Sequence, residues 1–432
     1  MTVLIIVAFI VLLLLAVPVG LSLGIATILP SLLSDSFTVS GVYILRSALG
    51  GVNSYPLLAI PMFVLSGIIM SRGGISKKLF EVFTYFIGNR TAGIPIAVII
   101  TCLFFGAISG SAPATVAAVG SMTIPIMSEM GYDKKFSVAI VAVAGGLGVI
   151  IPPSIPFILY ASATGASVSD MFLAGIVPGI LIAVILMVYA FYYCKKNGED
   201  KEKIHVIVDE LHSRGLKKVF SQSIFALLTP VIILGCIYSG ITSPTEAAVI
   251  SVFYALIISL FVYRTLKFKE VLGVLREAIK TFCPILFILA ISVAFSRILT
   301  LMHVPQTVSE WMTGTFTNKI LILIVVNIIL LVVGMVMDTS PAILIMAPIL
   351  LPVVEAFGVD AVHFGIIMVV NLAIGFVTPP IGVNLFVASS MTKVPVMDIA
   401  RKAAPMIVLF LVALMLITYI PPISMGLVNL TG

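Results

Sequence analysis

The sequence predicts an all-α integral membrane protein made of two inverted-topology repeats, each with a re-entrant hairpin and a broken helix. Hydrophobic residues make up 61% of the 432-residue chain and charged residues only 10%, a composition that excludes a soluble globule. Long apolar runs recur along the chain, and two of them carry matching glycine and proline breaks. The net charge of +6 is spread over short loops, so we expect no nucleic-acid partner.

Nine apolar segments are long enough to cross a bilayer as helices. Two further segments have a polar break at mid-length, SGSAP in the first and MDTSP in the second. We predict that these two are re-entrant hairpins, because each half is too short to cross. The predicted crossings are 3–29, 48–70, 136–161, 172–193, 223–241, 246–263, 281–302, 362–391 and 404–426, and the hairpins are 92–127 and 319–354.

The positions of the basic residues predict the orientation of the chain. With a cytoplasmic N-terminus, 21 of the 24 Lys and Arg residues fall in cytoplasmic loops, the exceptions being Arg46, Arg297 and Lys319. Such a bias is expected of a correct topology, because cytoplasmic loops are enriched in basic residues. The first apolar run lacks a basic leader and is too long for a signal peptide, so we expect a retained helix.

Glycine and proline breaks recur at a fixed distance, which indicates an internal repeat. An offset of 227 residues aligns Gly148 with Gly375, and the pair Pro152 and Pro153 with Pro379 and Pro380. We therefore predict a first repeat at 1–194, a cytoplasmic linker and connecting helix at 195–245, and a second repeat at 246–432. The connecting helix inverts the second repeat, so the two hairpins open on opposite sides. Inverted repeats with interrupted helices are the construction of secondary transporters.

The breaks themselves predict ion sites. In hydrocarbon a non-helical backbone survives only where it is buried in protein or lines a wet cavity. Carbonyls freed upstream of Pro152 and Pro379 could bind a cation, and the half-helices that restart beyond them favour a carboxylate. Hydroxyl and carboxylate oxygens at the two hairpin tips are hard donors of the kind that Na⁺ prefers. We predict one Na⁺ site per repeat.

Simpler readings exist for single residues. Any one Gly or Pro could mark a kink or close helix packing. Asp338 is a functional candidate because it is an acid at membrane depth, but it could also cap the hairpin turn. Arg297 could bind a substrate carboxylate, although its place near a helix end favours snorkelling to the interface. An intramembrane enzyme with Ser109 or Ser111 as nucleophile would need a base within reach, and no His or Lys of the apolar segments is positioned for that role. A channel would suit two inverted cavities poorly.

Taken together, the motifs resemble those of a known family. The segments AISGSAPATVAAVGSMTIPIM, GGLGVIIPPSIPFILYA, PTEAAV, MDTSPAILIMAPILLPV and NLAIGFVTPPIGVNLFVAS are similar to the large membrane subunit of tripartite ATP-independent periplasmic (TRAP) transporters. The similarity covers essentially the whole chain. It implies a multi-pass protein of the bacterial inner membrane that imports an organic acid, such as a C4-dicarboxylate or sialic acid, with Na⁺ by an elevator mechanism.

The resemblance also implies partners and site residues. The partners are a small four-helix membrane subunit, expected as a separate polypeptide, and a periplasmic substrate-binding protein; a binding-protein-independent Na⁺/carboxylate symporter is the nearest alternative. Sequence does not single out one organic acid. The first sodium would lie near Ser109, Ser111, Gly145, Gly148 and Ile151, and the second near Gly334, Asp338, Thr339, Gly375 and Thr378. Candidate substrate contacts are Ser111, Thr115, Ser154, Asp338 and Asn384.

Overall fold

The computed structural model describes residues 2–15, 17–33, 39–316 and 318–431, and within these ranges it contains helices and no strands. Two short 3₁₀ segments (Tyr55–Leu58 and Gly145–Val149) and one π-helical turn (Ile258–Val262) accompany the α-helices. The α-helices, numbered along the chain, are α1 (Thr2–Leu14), α2 (Val19–Leu33), α3 (Gly41–Val52), α4 (Ala59–Arg72), α5 (Ile75–Ile87), α6 (Gly93–Ser109), α7 (Ala112–Glu129), α8 (Lys134–Ala144), α9 (Ile155–Thr164), α10 (Val168–Asn197), α11 (Lys201–Ser213), α12 (Leu216–Tyr238), α13 (Pro244–Ile257), α14 (Phe268–Leu301), α15 (Val304–Thr315), α16 (Lys319–Val336), α17 (Thr339–Ala356), α18 (Ala361–Gly375), α19 (Val383–Thr392), α20 (Val396–Tyr419) and α21 (Pro422–Thr431).

In the described part of the chain, eight helical stretches are long and apolar enough to cross a membrane. Five of them contain or largely overlap predicted crossings, and one more begins at Tyr55 within the predicted segment 48–70. The remaining two are the arms of the second hairpin. The chain is therefore a multi-pass membrane protein. The eight stretches differ in part from the nine predicted crossings, because they include the two hairpin arms and leave out other predicted segments.

Two predicted crossings are wrong as continuous helices. The segment 3–29 divides into α1 and α2, because Pro18 offers no N–H to α1 and instead starts α2, where its carbonyl accepts from the Leu21 and Ser22 amides. The segment 48–70 divides at Asn53 and Ser54, which separate α3 from the 3₁₀ turn that leads into α4.

The reason given for the second hairpin is also wrong. Its arms α16 and α17 each have 18 residues, which at about 1.5 Å per residue reach nearly the thickness of a hydrocarbon core. The arms of the first hairpin, α6 and α7, have 17 and 18 residues. Both pairs are joined at the predicted polar tips and pack against each other. Re-entry on one side of the membrane stays a prediction.

Two charged stretches outside the predicted crossings form helices. Helix α14 starts at Phe268, where the Glu270 carboxylate accepts from the Lys267 amide at 2.8 Å and caps the first turn. The linker after α10 contains α11, whose buried Leu211 packs in one cluster with Val82 of α5. Helix α11 is thus an amphipathic surface helix that packs on α5.

The centre of the molecule holds the two broken helices and the two hairpins. Helix α8 continues through the 3₁₀ turn Gly145–Val149 to α9, and α18 continues through a turn to α19. The second hairpin arm of each half packs against the broken helix of the other half, α7 on α19 and α17 on α9. Interlocking of this kind brings both tips and both breaks into one core.

Aligned positions of the two halves have the same local structure. Asp133 caps α8 and Asp360 caps α18, each by accepting backbone N–H groups through its carboxylate. The peptide bonds Pro152–Pro153 and Pro379–Pro380 are both cis. The element order hairpin, broken helix, long helix also occurs twice. Inversion of the two halves stays a prediction.

Candidate functional site

The first junction is a backbone-to-backbone contact between the first hairpin and the first break. A Cβ on Gly106 of α6 would lie 2.6 Å from Cα of Gly148, which belongs to the 3₁₀ turn. A Cβ on Gly148 would in turn lie 2.5 Å from the Thr115 hydroxyl oxygen and 2.8 Å from the Ser111 carbonyl oxygen. Only glycines fit here. Because they have no side chains, the backbone of the break lies directly against the polar atoms of the tip.

Three oxygen atoms of the first tip converge at this junction. The hydroxyl oxygens of Ser109 and Thr115 are 3.0 Å apart, and the Ser111 carbonyl lies 3.3 Å from the first and 2.8 Å from the second. Ser109 and Thr115 are buried, whereas Ser111 is partly exposed. Gly145 packs beside them, since a Cβ there would lie 2.2 Å from the Val116 side chain. The tip therefore provides neutral hard oxygens in a cramped, buried setting.

The tip and the restarting half-helix are also tied together. Gly110 has φ of +61°, a conformation that suits glycine, and its carbonyl accepts from the Ile155 amide at 3.3 Å. The Ser154 hydroxyl donates to the Val149 carbonyl at 2.6 Å and caps α9. Ile151 points its side chain toward Gly179 of α10, so only its backbone is available to the site.

The second junction repeats the glycine contact. A Cβ on Gly375 would lie 2.4 Å from the Gly334 carbonyl oxygen and 2.7 Å from its Cα. The Ile381 amide, beyond the second break, donates to the Met335 carbonyl at 3.2 Å. As in the first half, the first hairpin arm is packed directly on the interrupted backbone.

The polar residues of the second junction are less closely assembled. Asp338 caps α17, its carboxylate accepting from the Thr339 amide at 2.8 Å, and its side chain is exposed. Thr378 donates its hydroxyl to the Ile374 carbonyl at 2.8 Å. Among the described residues no hydrogen bond joins Thr378 to Asp338. The capping interpretation of Asp338 is therefore confirmed.

The predicted substrate contacts differ in accessibility. Ser111 and Asp338 are reachable at their tips, whereas Thr115 and Ser154 are buried and use their hydroxyls within the chain. Asn384 is fully buried, and its amide donates to the Ala142 carbonyl of α8 at 3.0 Å. Among the described residues the side-chain carbonyl oxygen of Asn384 has no hydrogen-bond partner, so it is a further potential ligand oxygen where the two broken helices meet.

A cavity that the sequence did not reveal leads away from the first tip. It has a volume of about 440 Å³ and extends from Ser109 and Ser111 between α4, α7 and α14. At its other end Arg72 of α4 forms an ion pair with Glu277 of α14. Arg72 was counted only among the basic residues of the loops and Glu277 was not singled out. Nothing in their spacing marks them as a pair, because 205 residues separate them.

A chain of buried polar side chains was also missed. The Asn371 amide donates to the Asn327 carbonyl oxygen at 2.7 Å, and the Asn327 amide donates to the Thr418 hydroxyl at 3.3 Å. His363 contacts the Thr418 carbonyl at 3.3 Å through one ring nitrogen and the Ser424 hydroxyl at 2.5 Å through the other. Asparagines within apolar runs were the available signal.

At the base of the first hairpin a buried carboxylate joins three segments. Glu199, whose side chain is 2% exposed, accepts from the Ala92 amide at the start of α6 and from the Tyr132 hydroxyl after α7, and it pairs with Lys201. Burial raises the pKa of Tyr132, and the hydrogen bond to Glu199 raises it further, so the phenol stays a donor. The base of the hairpin is thus fixed to the end of α10.

The helices, the paired tips and the interrupted backbones define a multi-pass membrane transporter component. More particularly, the chain belongs to the DctM component family of the tripartite ATP-independent periplasmic transporters, whose family model matches residues 6–423.

Curated relatives agree with this membership. An isethionate TRAP transporter permease protein, DctMQ, of Oleidesulfovibrio alaskensis is 44% identical over 95% of this chain, which spans 63% of that relative. A C4-dicarboxylate TRAP transporter large permease protein of Pseudomonas aeruginosa is 42% identical, with 88% of this chain and 87% of the relative covered. The 2,3-diketo-L-gulonate TRAP transporter large permease protein of Escherichia coli is 34% identical over 87% of each. Such relatives are permease components and not enzymes, which excludes the enzyme alternative.

Two solved structures share the fold. The YdaH transporter of Alcanivorax borkumensis superposes with a TM-score of 0.63 at 13% identity, covering 91% of this chain and 90% of its own. MtrF of Neisseria gonorrhoeae gives 0.61 at 14% identity, covering 96% and 94%.

Proposed function

We propose that this chain is the large membrane subunit of a Na⁺-coupled importer of a small organic acid. The observation that carries the proposal is the first junction, where the Ser109 and Thr115 hydroxyls and the Ser111 carbonyl converge against Gly148. Converging neutral oxygens in a buried pocket suit a weakly bound hard cation. Membership of a transporter family supports coupling of that cation to solute movement.

The donor chemistry at both junctions fits Na⁺. At the first, the tip oxygens and the backbone of Gly145, Gly148 and Ile151 would hold the ion. At the second, Asp338 and Thr339 at the tip, with the backbone of Gly334 and Gly375 and the side chain of Thr378, would hold another. Only the second set includes a formal negative charge. The ions would fasten each hairpin tip to its broken helix.

The proposed mechanism is an elevator with alternating access. Hairpins and broken helices would move together, because α7 packs on α19 and α17 on α9, while α4, α13 and α14 would form the surroundings. The cavity of about 440 Å³ beside the first tip suits release toward the cytoplasm in the predicted orientation. Each sodium charge moved inward would gain about 2.3 kcal/mol per 100 mV of membrane potential.

Substrate class and partners follow from the relatives. Three of them are named for isethionate, C4-dicarboxylates and 2,3-diketo-L-gulonate, which are all small organic acids, and sialic acid is a further candidate. We propose a small four-helix membrane subunit and a periplasmic substrate-binding protein as partners. The assembly would sit in the bacterial inner membrane, with the N-terminus of this chain in the cytoplasm.

The test is uptake by proteoliposomes that contain this chain and the small membrane subunit purified with it, with the binding protein outside. Labelled succinate, isethionate and sialic acid serve as probes under an inward Na⁺ gradient or a matched K⁺ gradient. We expect uptake of at least one acid that requires both Na⁺ and the binding protein. Uptake without the binding protein would favour the independent symporter, and equal uptake in K⁺ would contradict sodium coupling.

A further inference from the structure

Helix α14 lines two separate cavities. Every fourth residue from Glu277 to Arg297 belongs to one of them, and because four residues slightly exceed one helical turn, these residues form a stripe that winds around the helix. The half nearer Glu277 borders the cavity beside the first tip, and the half nearer Arg297 borders a second cavity. The residues of this stripe are Glu277, Thr281, Ile285, Leu289, Val293 and Arg297.

The second cavity has a volume of about 320 Å³ and is lined by α3, the 3₁₀ turn that follows it, α9, α14 and α17. Helix α3 packs tightly on α14, since a Cβ on Gly51 would lie 2.6 Å from the Val293 side chain. The C-terminal end of α9 and the middle of α17 form the opposite wall. Hydroxyls of Ser54, Ser162 and Ser296 border the space. The cavity therefore lies between α14 and the same hairpin and broken-helix body that carries the ion junctions.

The arginines that line the two cavities differ in their partners. Arg72 of α4, in the first cavity, is neutralised by Glu277. Arg297 of α14, in the second, is exposed and has no acidic partner among the described residues. An unpaired guanidinium attracts anions, and its planar fork fits a carboxylate or sulfonate in two hydrogen bonds.

We propose that Arg297 is a specificity-determining residue that captures the acidic group of the substrate in the second cavity. The inference rests on the proposed function for the substrate class and for the assignment of this cavity to the outer side. The two cavities differ in charge, because an anion is attracted near Arg297, whereas near Arg72 it meets a charge that Glu277 has already cancelled. Arg297 lines a cavity together with residues of α9 and α17, which distinguishes it from an arginine that contacts only lipid.

The test measures the local preference for anions without requiring transport. Cys102, Cys194, Cys236 and Cys283 are first replaced by serine in the full chain, and the exposed Ser162 at the cavity wall is changed to cysteine. The rates of modification by anionic sulfonatoethyl and cationic trimethylammonioethyl methanethiosulfonate are then compared. We expect Arg297→Gln to lower the anionic-to-cationic rate ratio by about five- to tenfold, and Arg297→Lys to preserve most of it.

Arg46→Gln is the matched control, because Arg46 lies on α3 and, like Arg297, is an exposed arginine on the predicted outer side. This substitution should leave the rate ratio unchanged. Succinate and isethionate should slow the anionic reaction in the parent and not in Arg297→Gln. An unchanged ratio in Arg297→Gln would overturn the proposal. So would protection that requires the periplasmic binding protein, which would make Arg297 part of a protein-docking surface. Because labelling needs neither Na⁺ nor uptake, its outcome is independent of the uptake test.

Discussion

Glycine at positions 148 and 375 does more than interrupt a helix. Each lies against the backbone or polar atoms of a hairpin, Gly148 against Thr115 and Ser111, and Gly375 against Gly334. The absence of a side chain at these points lets the backbone of the broken helix contact the hairpin directly. At the scale of single residues, the site is made by close approach as much as by the chemistry of the tips.

The effect of Gly148→Ala tests this close approach. The added methyl would lie 2.5 Å from the Thr115 hydroxyl oxygen and 2.8 Å from the Ser111 carbonyl oxygen, so the tip must shift. We expect a loss of about 1–3 kcal/mol in the free energy of unfolding, as is typical of overpacking, and a weaker Na⁺-dependent stabilisation, because only the second junction would still bind the ion. Gly235→Ala is the control, since nothing lies within 4 Å of that position. A Gly148→Ala variant with unchanged stability and an undiminished response to Na⁺ would contradict an ion site at this junction.

Sequence patterns located the tips and breaks but not every contact between them. Ser109, Ser111 and Gly148 could be predicted because polar and flexible residues are costly in apolar segments and therefore stand out. The bond from Asn384 to the Ala142 carbonyl could not, because it joins positions 242 residues apart in sequence. A contact of this kind depends on how α19 packs on α8, which no local pattern specifies.

At the scale of elements, both broken helices and both hairpins lie where they were predicted, because each is marked by its own breakers. Helix length was predicted less well. Charges in 264–280 suggested a loop, yet α14 begins at Phe268, since charged residues are good helix formers outside the hydrocarbon. Pro18 was overlooked within an apolar run, although it starts a new helix. Hydropathy reports which segments are apolar and says little about where helices begin.

The buried Glu199 carboxylate, which joins three segments at the base of the first hairpin, gives a testable prediction about how these helices are held together. Glu199 joins α6, the turn after α7 and the end of α10, and it is buried. Glu199→Ala leaves the Ala92 amide and the Tyr132 hydroxyl without their acceptor, which we expect to cost about 1–3 kcal/mol. Hydrogen exchange of backbone amides near the start of α6 should become faster. Glu202→Ala, at an exposed position of α11, should leave that exchange unaltered; equal protection in both variants would contradict a clamping role.

At the scale of the whole molecule, α14 lines two cavities that both border the interlocked hairpin and broken-helix core. The core contacts α14 through α17 and contacts α4 through α6 and α9. In the proposed elevator mechanism, movement of the core along α14 would enlarge one cavity while closing the other. The proposal thereby relates the ion junctions and the proposed acid-capturing arginine to alternating access.

Sodium binding by the two junctions is tested most directly by the thermal unfolding midpoint of the purified chain, titrated with NaCl and with matched KCl and choline chloride. A ligand at 100 times its Kd stabilises the folded state by about 2.7 kcal/mol. We expect only Na⁺ to raise the midpoint, Asp338→Asn to weaken the response, and Asp209→Asn, at an exposed position of α11, to retain it. Equal midpoints in the three salts throughout the titration would contradict sodium binding at these junctions.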